Sequence, residues 1–157
     1  MTNKLIKASV LSLTLFSIMG LSVSFAIGKA KMPMVDIAGK AKVTLEVADT
    51  EPKITRGLMY RTSLAPDAGM VFLFRPNRQV NFWMYHTLIP LDMLFVKDGK
   101  IVKLIADVQP CKSENPNDCA IYPGGKGVDV SEVIELEAGY AKQHGIHEGD
   151  VVTFNLP

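Results

Sequence analysis

The sequence lacks the motifs that mark the commonest catalytic and metal-binding sites. Its 157 residues include only two cysteines, one tryptophan and three histidines. No nucleophile elbow, zinc-binding helix motif or paired-carboxylate motif is present. The two cysteines do not have the spacing of a zinc pair or of a redox-active dithiol. These absences argue against the common hydrolase, metalloprotease and thiol-redox classes.

Charge of one sign is also scarce. The chain has 17 basic and 16 acidic residues and a formal net charge of +1. No basic block stands out, so nucleic acid is not expected as a partner. Long apolar runs are absent after residue 26, and nothing in that part is long enough to span a bilayer.

The N-terminus has the pattern of a secretory signal peptide. Lys4 and Lys7 precede an uncharged segment that ends in Ser24-Phe25-Ala26, small residues around one large residue. We expect residues 1–26 to be removed near Ala26 and the protein to be exported to the periplasm or beyond the cell. A permanent membrane anchor is the alternative, which the serines in the segment disfavour. Cleavage leaves about 131 residues with a net charge of −1, enough for one domain, and no contact with the membrane.

Cys111 and Cys119 enclose the polar, turn-rich sequence KSENPND. In an oxidising compartment, an even pair around such a loop predicts a disulfide. Closing a loop of this length contributes roughly 2–3 kcal/mol in the chain-entropy model. The bond would fix the irregular segment from Gln109 to Lys126, the kind of loop in which functional residues often lie.

Short β-strands account for most of the remaining pattern. KVTLEV (42–47) alternates as a strand does, and Asp98-Gly99 between two β-rich runs predicts a hairpin over 92–108. Further strands are expected over 70–74, 80–85 and 132–139, a turn and a last strand over 145–154, and short helices over 49–61 and 139–145. Residues 27–42 have no period and are expected to form a flexible lead-in to a single domain over 43–157. The fold class is therefore mainly β, a β-rich α+β domain forming a small sandwich or partly closed barrel of about six short strands with two short helices.

An ordered string of motifs runs through this domain. It reads RGLMYR, GMVFLF, FWMYHTLIPLDMLFV and G.IV, then PC, and later EL.AGYA and GI..GD.V. Over residues 43–155 the string resembles the family known as domain of unknown function 192. The resemblance implies a small β-rich domain, often exported, and it supplies no catalytic residues. Members of the family usually have a Lys-Asn pair where this chain has Tyr85-His86.

The segment NFWMYHTLIPLDMLF (81–95) is the richest in side chains that could form a site. In a structural interpretation, its aromatics and methionines fill a core and Asp92 accepts backbone N–H groups at the turn after Pro90. In a binding interpretation, an aromatic wall and a few polar groups line a cleft beside the cysteine loop. The candidate ligand-binding residues are Arg56, Arg61, Trp83, His86 and Asp92. An arginine in such a cleft would favour a carboxylate or a phosphate.

Two other interpretations remain open. Met84 and His86 lie on one side of an extended chain and would suit Cu(I) if Met59, Met70 or Met93 approached them. His86 with Asp92 could act as an acid–base pair, with or without a serine nucleophile at Ser63 or Ser131. We predict a non-catalytic binding module for a small polar ligand or an envelope protein partner, with no cofactor, no assigned metal and no catalytic residues.

Overall fold

The computed structural model describes residues 32–156, and within them it has nine strands and two short α-helices. The strands are β1 (Met34–Ile37), β2 (Ala41–Ala48), β3 (Ala68–Arg78), β4 (Asn81–Phe82), β5 (Leu91–Lys97), β6 (Lys100–Val108), β7 (Tyr122–Pro123), β8 (Val130–Glu137) and β9 (Val152–Asn155). The helices are α1 (Glu51–Arg56) and α2 (Tyr140–Gln143), and a 3-10 turn covers Pro116–Asp118.

Seven of the strands form one curled sheet in the order β6-β5-β8-β3-β2-β1-β9, while β4 and β7 pair separately. Only β2 and β3 run parallel to each other, and the chain between them makes the crossover that contains α1. The two ends of the sheet meet where Lys100 bridges Val151. The mainly β class, as a half-barrel with two short helices, is confirmed.

Two hydrophobic clusters lie on opposite faces of the sheet. The alternation of β8 sends Ile134 to one cluster and Val133 to the other. The first cluster includes Ile101 and Val152 from the two ends of the sheet, so it lies inside the curl, and we call it the inner cluster. The second cluster, which we call the outer cluster, lies on the outer face and includes Leu58 of the crossover and, from the aromatic segment that follows β3, Phe82 and Met84.

The predicted hairpin is present, and its turn is the Asp98-Gly99 pair. Asp98 and Gly99 both have positive φ, of 49° and 68°, and connect the antiparallel strands β5 and β6. These are the dihedral angles that a two-residue hairpin turn requires, and an Asp-Gly pair adopts them readily.

Three sequence expectations differ from the structure. The lead-in expected over 27–42 contains a strand, Met34–Ile37, which pairs with both β2 and β9. The sequence shows only Val35 and Ile37 as alternating apolar residues here, which is too short a pattern to predict a strand. The pairing with β9, far along the chain, cannot be seen in the local sequence. The helix expected over 49–61 ends at Arg56, because Gly57 leaves the helical region. The strand expected over 80–85 is reduced to Asn81–Phe82.

The expected signal peptide and the first residues of the lead-in lie outside the described residues. Within residues 32–156, no helix is long and apolar enough to cross a membrane.

Candidate functional site

The predicted disulfide is present and positions the cysteine loop against the aromatic segment. Cys111 and Cys119 are bonded, with their Cα atoms 5.6 Å apart. The Cys111 backbone N–H donates to the Met84 carbonyl at 3.2 Å, and the Tyr85 hydroxyl donates to the Glu114 carbonyl at 3.3 Å. The loop therefore supports the segment from Trp83 to Thr87 from one side.

Asp92 is completely buried and fully engaged by backbone donors. Its carboxylate accepts N–H groups from Asp107 at 2.8 Å, Gly139 at 3.1 Å and Ala141 at 2.9 Å. It thereby connects β5 to β6 and to the start of α2. Asp92 therefore has the structural role that the sequence suggested, the acceptance of backbone N–H groups. It does not join Arg56, Arg61, Trp83 or His86 in one cleft.

His86 joins the two segments that cover the outer face of the sheet. Its Nδ1 shares a hydrogen bond with the Tyr60 hydroxyl, and its carbonyl accepts the Tyr60 N–H at 2.9 Å. Its ring stacks on Tyr85 with centroids 3.8 Å apart. Both Tyr60 and His86 have positive φ, so this contact is held in an uncommon backbone conformation. No hydrogen bond of the described residues joins His86 to Asp92.

The two candidate arginines line a groove beside β2. Arg61 pairs with Glu46 at 2.7 Å, whereas Arg56 makes no ion pair with another described residue. The groove has a volume of about 620 Å³, and Met32 and Met70 also contribute to it. Arg56 also borders a second, smaller space on the other side of the end of α1.

Trp83 borders an opening on that other side. It is 37% exposed and lines a crevice of about 390 Å³ between α1 and the chain from Arg78 to Trp83. We call this space the outer crevice. Ile54 and Thr55 of α1 form the opposite wall.

A smaller space, the inner cavity, adjoins the outer crevice. It has a volume of about 30 Å³. It shares Ile54, Thr55, Phe82 and Trp83 with the outer crevice and adds Thr87 and Glu135. Glu135 is only 4% exposed, so a carboxyl group lies among the innermost residues of an opening whose outer wall is an exposed tryptophan. We call the two spaces together the Glu135 crevice.

The sheet register explains why this carboxyl is surrounded by apolar groups. Glu135 pairs directly with Met70 on β3 and with Met93 on β5, and all three side chains face the outer cluster. Burial in this surrounding raises the pKa of Glu135 to about 8. Within residues 32–156 this carboxyl has no hydrogen bond and no ion pair, and the cause of the raised pKa is its desolvation.

A second buried carboxyl on the same strand shows the contrast. Glu132 is 6% exposed, but it pairs with Arg75 at 2.6 Å and accepts the Ser131 hydroxyl. Buried carboxyl groups usually have such partners. Glu135 has none among the described residues, which leaves its hydrogen-bonding capacity available to a molecule in the crevice.

Gly57 allows the chain to pass close to the inner cavity. Its φ is +46°, and a Cβ atom there would lie 3.1 Å from the ring of Phe72. Only glycine combines this dihedral angle with this close approach. The RGLM sequence (56–59) therefore ends α1 at Arg56, and the residues that follow, from Gly57 to Met59, line the inner cavity.

Of the five residues proposed from the sequence, Arg56 and Trp83 line the Glu135 crevice. Glu135 and Thr87, which also line it, were not proposed. Glu135 was hidden because ELE at 135–137 is typical of a strand with one solvent-facing side. The signal that could have found it is the EL of the motif string, which brings a glutamate into an otherwise buried strand. Arg61, His86 and Asp92 do not line the Glu135 crevice.

The residues considered for copper do not share one environment. Met84 is 1% exposed within the outer cluster, whereas the His86 ring is half-buried between Tyr60 and Tyr85. Among residues 32–156, no group of three or more His, Cys, Asp or Glu side chains could hold a metal ion.

Two solved structures are similar to this chain. A protein of unknown function from Novosphingobium aromaticivorans is 32% identical, with a TM-score of 0.67 over 76% of this chain and 83% of that chain. A Sinorhizobium meliloti protein, provisionally named a transcription regulator, is 34% identical, with a TM-score of 0.67 over 81% of this chain and 98% of that chain. No curated protein matches. The DUF192 family model, described as "Uncharacterized ACR", matches residues 34–154, and the chain therefore belongs to the DUF192 family.

Proposed function

We propose that this protein is an exported binding module that holds a small polar ligand in the Glu135 crevice without transforming it. The observation that carries the proposal is Glu135, a 4% exposed residue without a hydrogen bond from any of residues 32–156, which lines the inner cavity beside the exposed Trp83. A concave space with an apolar wall and few polar groups is the usual form of a small-ligand site.

The walls of the crevice are held in place before any ligand arrives. The Tyr60–His86 contact joins the chain after α1 to the aromatic segment. The disulfide loop supports the same segment through the Cys111–Met84 hydrogen bond. A site on such braced segments loses little conformational entropy when it binds, which favours a binding role.

Binding is favoured over catalysis by what surrounds the candidate catalytic groups. Asp92 is saturated by three backbone N–H groups, and His86 Nδ1 is engaged by Tyr60. Ser131, the second candidate nucleophile, donates to Glu132. The Glu135 carboxyl is left without a second acid–base group among the residues that line the inner cavity with it.

Export is supported by the N-terminal pattern and by the disulfide, since disulfides persist in oxidising compartments. The test is the mass of the protein recovered from the periplasm of a bacterial host that expresses the full chain. We expect the mass of a chain that begins at Ile27 with the two cysteines bonded. An intact N-terminus in the membrane fraction would contradict export.

Ligand binding is tested through Trp83, the only tryptophan and therefore the only source of tryptophan emission. The protein is titrated with amines, carboxylates, phosphate, neutral sugars and short peptides. We expect a saturable change in emission with one class, and a loss of at least about tenfold in affinity in Glu135→Gln. The matched control is Glu137→Gln, an exposed glutamate on the same strand, which should bind as the unmodified protein does. If no class produces a saturable change, the proposal is wrong.

A further inference from the structure

Resting on the proposed function, we infer that the group bound in the inner cavity is a primary ammonium group. The juxtaposition of a buried glutamate without a hydrogen bond from any described residue, an aromatic wall and the last turn of α1 points to this class of ligand.

Size is the first constraint on the ligand. About 30 Å³ is available in the inner cavity, and a buried water needs at least about 10–15 Å³ of such space. The cavity therefore accommodates a group as small as an ammonium and excludes a sugar ring or a phenyl ring. The body of the ligand would lie in the outer crevice, whose volume of about 390 Å³ is enough for a small organic molecule.

Polarity is the second constraint. The lining supplies the Glu135 carboxyl and the Thr87 hydroxyl. Ile54 and Thr55, in the last turn of α1, also line the cavity, and the last carbonyls of a helix have no partner within it. Their carbonyls accept no backbone N–H from a described residue outside the helix. The carboxyl and the hydroxyl supply acceptors that match the N–H donors of an ammonium.

The aromatic wall is the third constraint. Trp83 lines both spaces, and Phe72 and Phe82 line the inner cavity. The faces of aromatic rings attract cations, most strongly for tryptophan. A carboxylate or phosphate ligand would instead meet the Glu135 carboxyl, and Arg56 is the one basic residue among those that line the cavity.

Few charged groups lie around the inner cavity. The strands on either side place Met70, Phe72 and Met93 next to Glu135, and none of these ionises. From the crossover, Arg56 is the one basic residue that lines the inner cavity, and it does not contribute to the pKa of Glu135. His86 follows the aromatic wall, but its Nδ1 faces Tyr60.

An ammonium ligand makes binding depend on pH in a defined direction. The pKa of Glu135 is raised to about 8, so the empty site is mostly neutral at pH 6. Binding an ammonium requires the carboxylate, so it releases the proton of Glu135 to the solvent. The affinity should increase about tenfold per pH unit between pH 6 and 7, flatten above pH 8, and fall when the amine itself deprotonates near about pH 10.

The experiment compares four ligands of the same chain length: n-butylamine, n-butanol, butyrate and n-butyltrimethylammonium. Calorimetry is run at pH 6, 7 and 8 in two buffers that differ in ionisation enthalpy, which counts the protons released. We expect n-butylamine to bind best, to release about one proton at pH 6 and to show the tenfold slope. The quaternary ammonium should bind at least about tenfold more weakly, because it has no N–H donor and is larger than the cavity.

Glu135→Gln should remove both the slope and the proton release, while Glu137→Gln should keep both. Circular dichroism confirms that each variant is folded, and the pH profile of the unmodified protein tests the inference without any variant. The inference is wrong if butyrate or butanol binds as tightly as the amine, or if amine binding releases no proton. If another class in the Trp83 titration binds and depends on Glu135, the proposed function holds and only the ammonium assignment fails. If no class binds, the proposed function fails and the assignment fails with it.

Discussion

Two buried glutamates on one strand, Glu132 and Glu135, show how a single residue acquires a role from its surroundings. Glu132 has an arginine and a serine hydroxyl as partners, whereas Glu135 has methionines on both sides. Keeping an unpaired carboxyl inside a protein costs stability, because the charged form is desolvated without compensation. A cost of this kind at one residue is common at functional sites.

The first prediction concerns the pH dependence of stability at Glu135. Its pKa is raised to about 8 in the folded protein, from an ordinary value of 4.5, so the folded state holds this proton when the unfolded state has lost it. Stability from this group is therefore present below about pH 4.5 and is lost as pH rises to about 8. The difference in the free energy of unfolding between Glu135→Gln and the unmodified protein should shift in favour of the variant by on the order of 4 kcal/mol from pH 4 to pH 8.5.

The measurement is urea unfolding at several pH values, and Glu137→Gln is the control because it alters an exposed carboxyl two residues away. The difference between the Glu137→Gln protein and the unmodified protein should stay nearly constant over this range. A constant difference for Glu135→Gln as well would mean that the carboxyl is solvated in solution.

Gly57→Ala is expected to destabilise the fold by about 2–5 kcal/mol. The new methyl group would meet the Phe72 ring, and the backbone would keep a φ of +46° that alanine disfavours. Gly127→Ala is the control, since its φ is also positive but no atom lies within 4 Å of the added carbon. We expect the control to lose only about 1–2 kcal/mol, measured by thermal and chemical unfolding. Equal losses in the two variants would show that the contact with Phe72 contributes nothing.

At the scale of elements, local signals were readable in the sequence and long-range ones were not. The Asp98-Gly99 hairpin and the cysteine pair are each encoded within a few residues, and both are present. Strand β1 was missed because it lies between β2 and β9 in the sheet, and β9 is more than 100 residues away along the chain. Trp83 and Arg56 could be proposed from residue type, but no local pattern shows that β8 is covered on both faces and places Glu135 inside.

The cysteine loop and the aromatic segment form one unit at this scale, which leads to a prediction for the disulfide. Replacing both Cys111 and Cys119 by serine should cost about 2–3 kcal/mol of stability. It should also loosen the support that the loop gives to Met84 and Tyr85, so iodide should quench Trp83 more strongly. The measurements are urea unfolding and iodide quenching of the double variant.

The control for the disulfide variant is Asn117→Ala. It alters an exposed residue of the same loop and keeps both cysteines. It should leave the quenching unchanged. If the double variant lost stability without any change in quenching, the loop would be stabilising the fold but not the wall of the crevice.

At the scale of the whole molecule, the curl of the sheet encloses the inner cluster and leaves the Glu135 crevice on the outer face. Three backbone hydrogen bonds join the two ends of the sheet, from Ile101 to Asp150 at 3.0 Å, from Gly149 to Ile101 at 2.7 Å and from Val152 to Gly99 at 2.9 Å. Closure at this end removes part of the exposed edge that an open sheet would present. With the interior filled by apolar side chains, the outer face remains as the place where a polar group can reach a ligand.

The last prediction tests this closure by amide hydrogen exchange followed by NMR. The amides of Ile101, Gly149 and Val152 should exchange at least about 100-fold more slowly than an unprotected amide, because each donates to a carbonyl across the junction. The exposed Lys126, in the loop before β8, supplies the reference for fast exchange within the same protein. Exchange of all three amides at the rate of Lys126 would show that the sheet is open in solution. If these amides exchange slowly and their rates do not change when a ligand binds, any conformational response to the ligand is confined to the crevice. That is the behaviour we expect of a rigid half-barrel with the proposed site on its outer face.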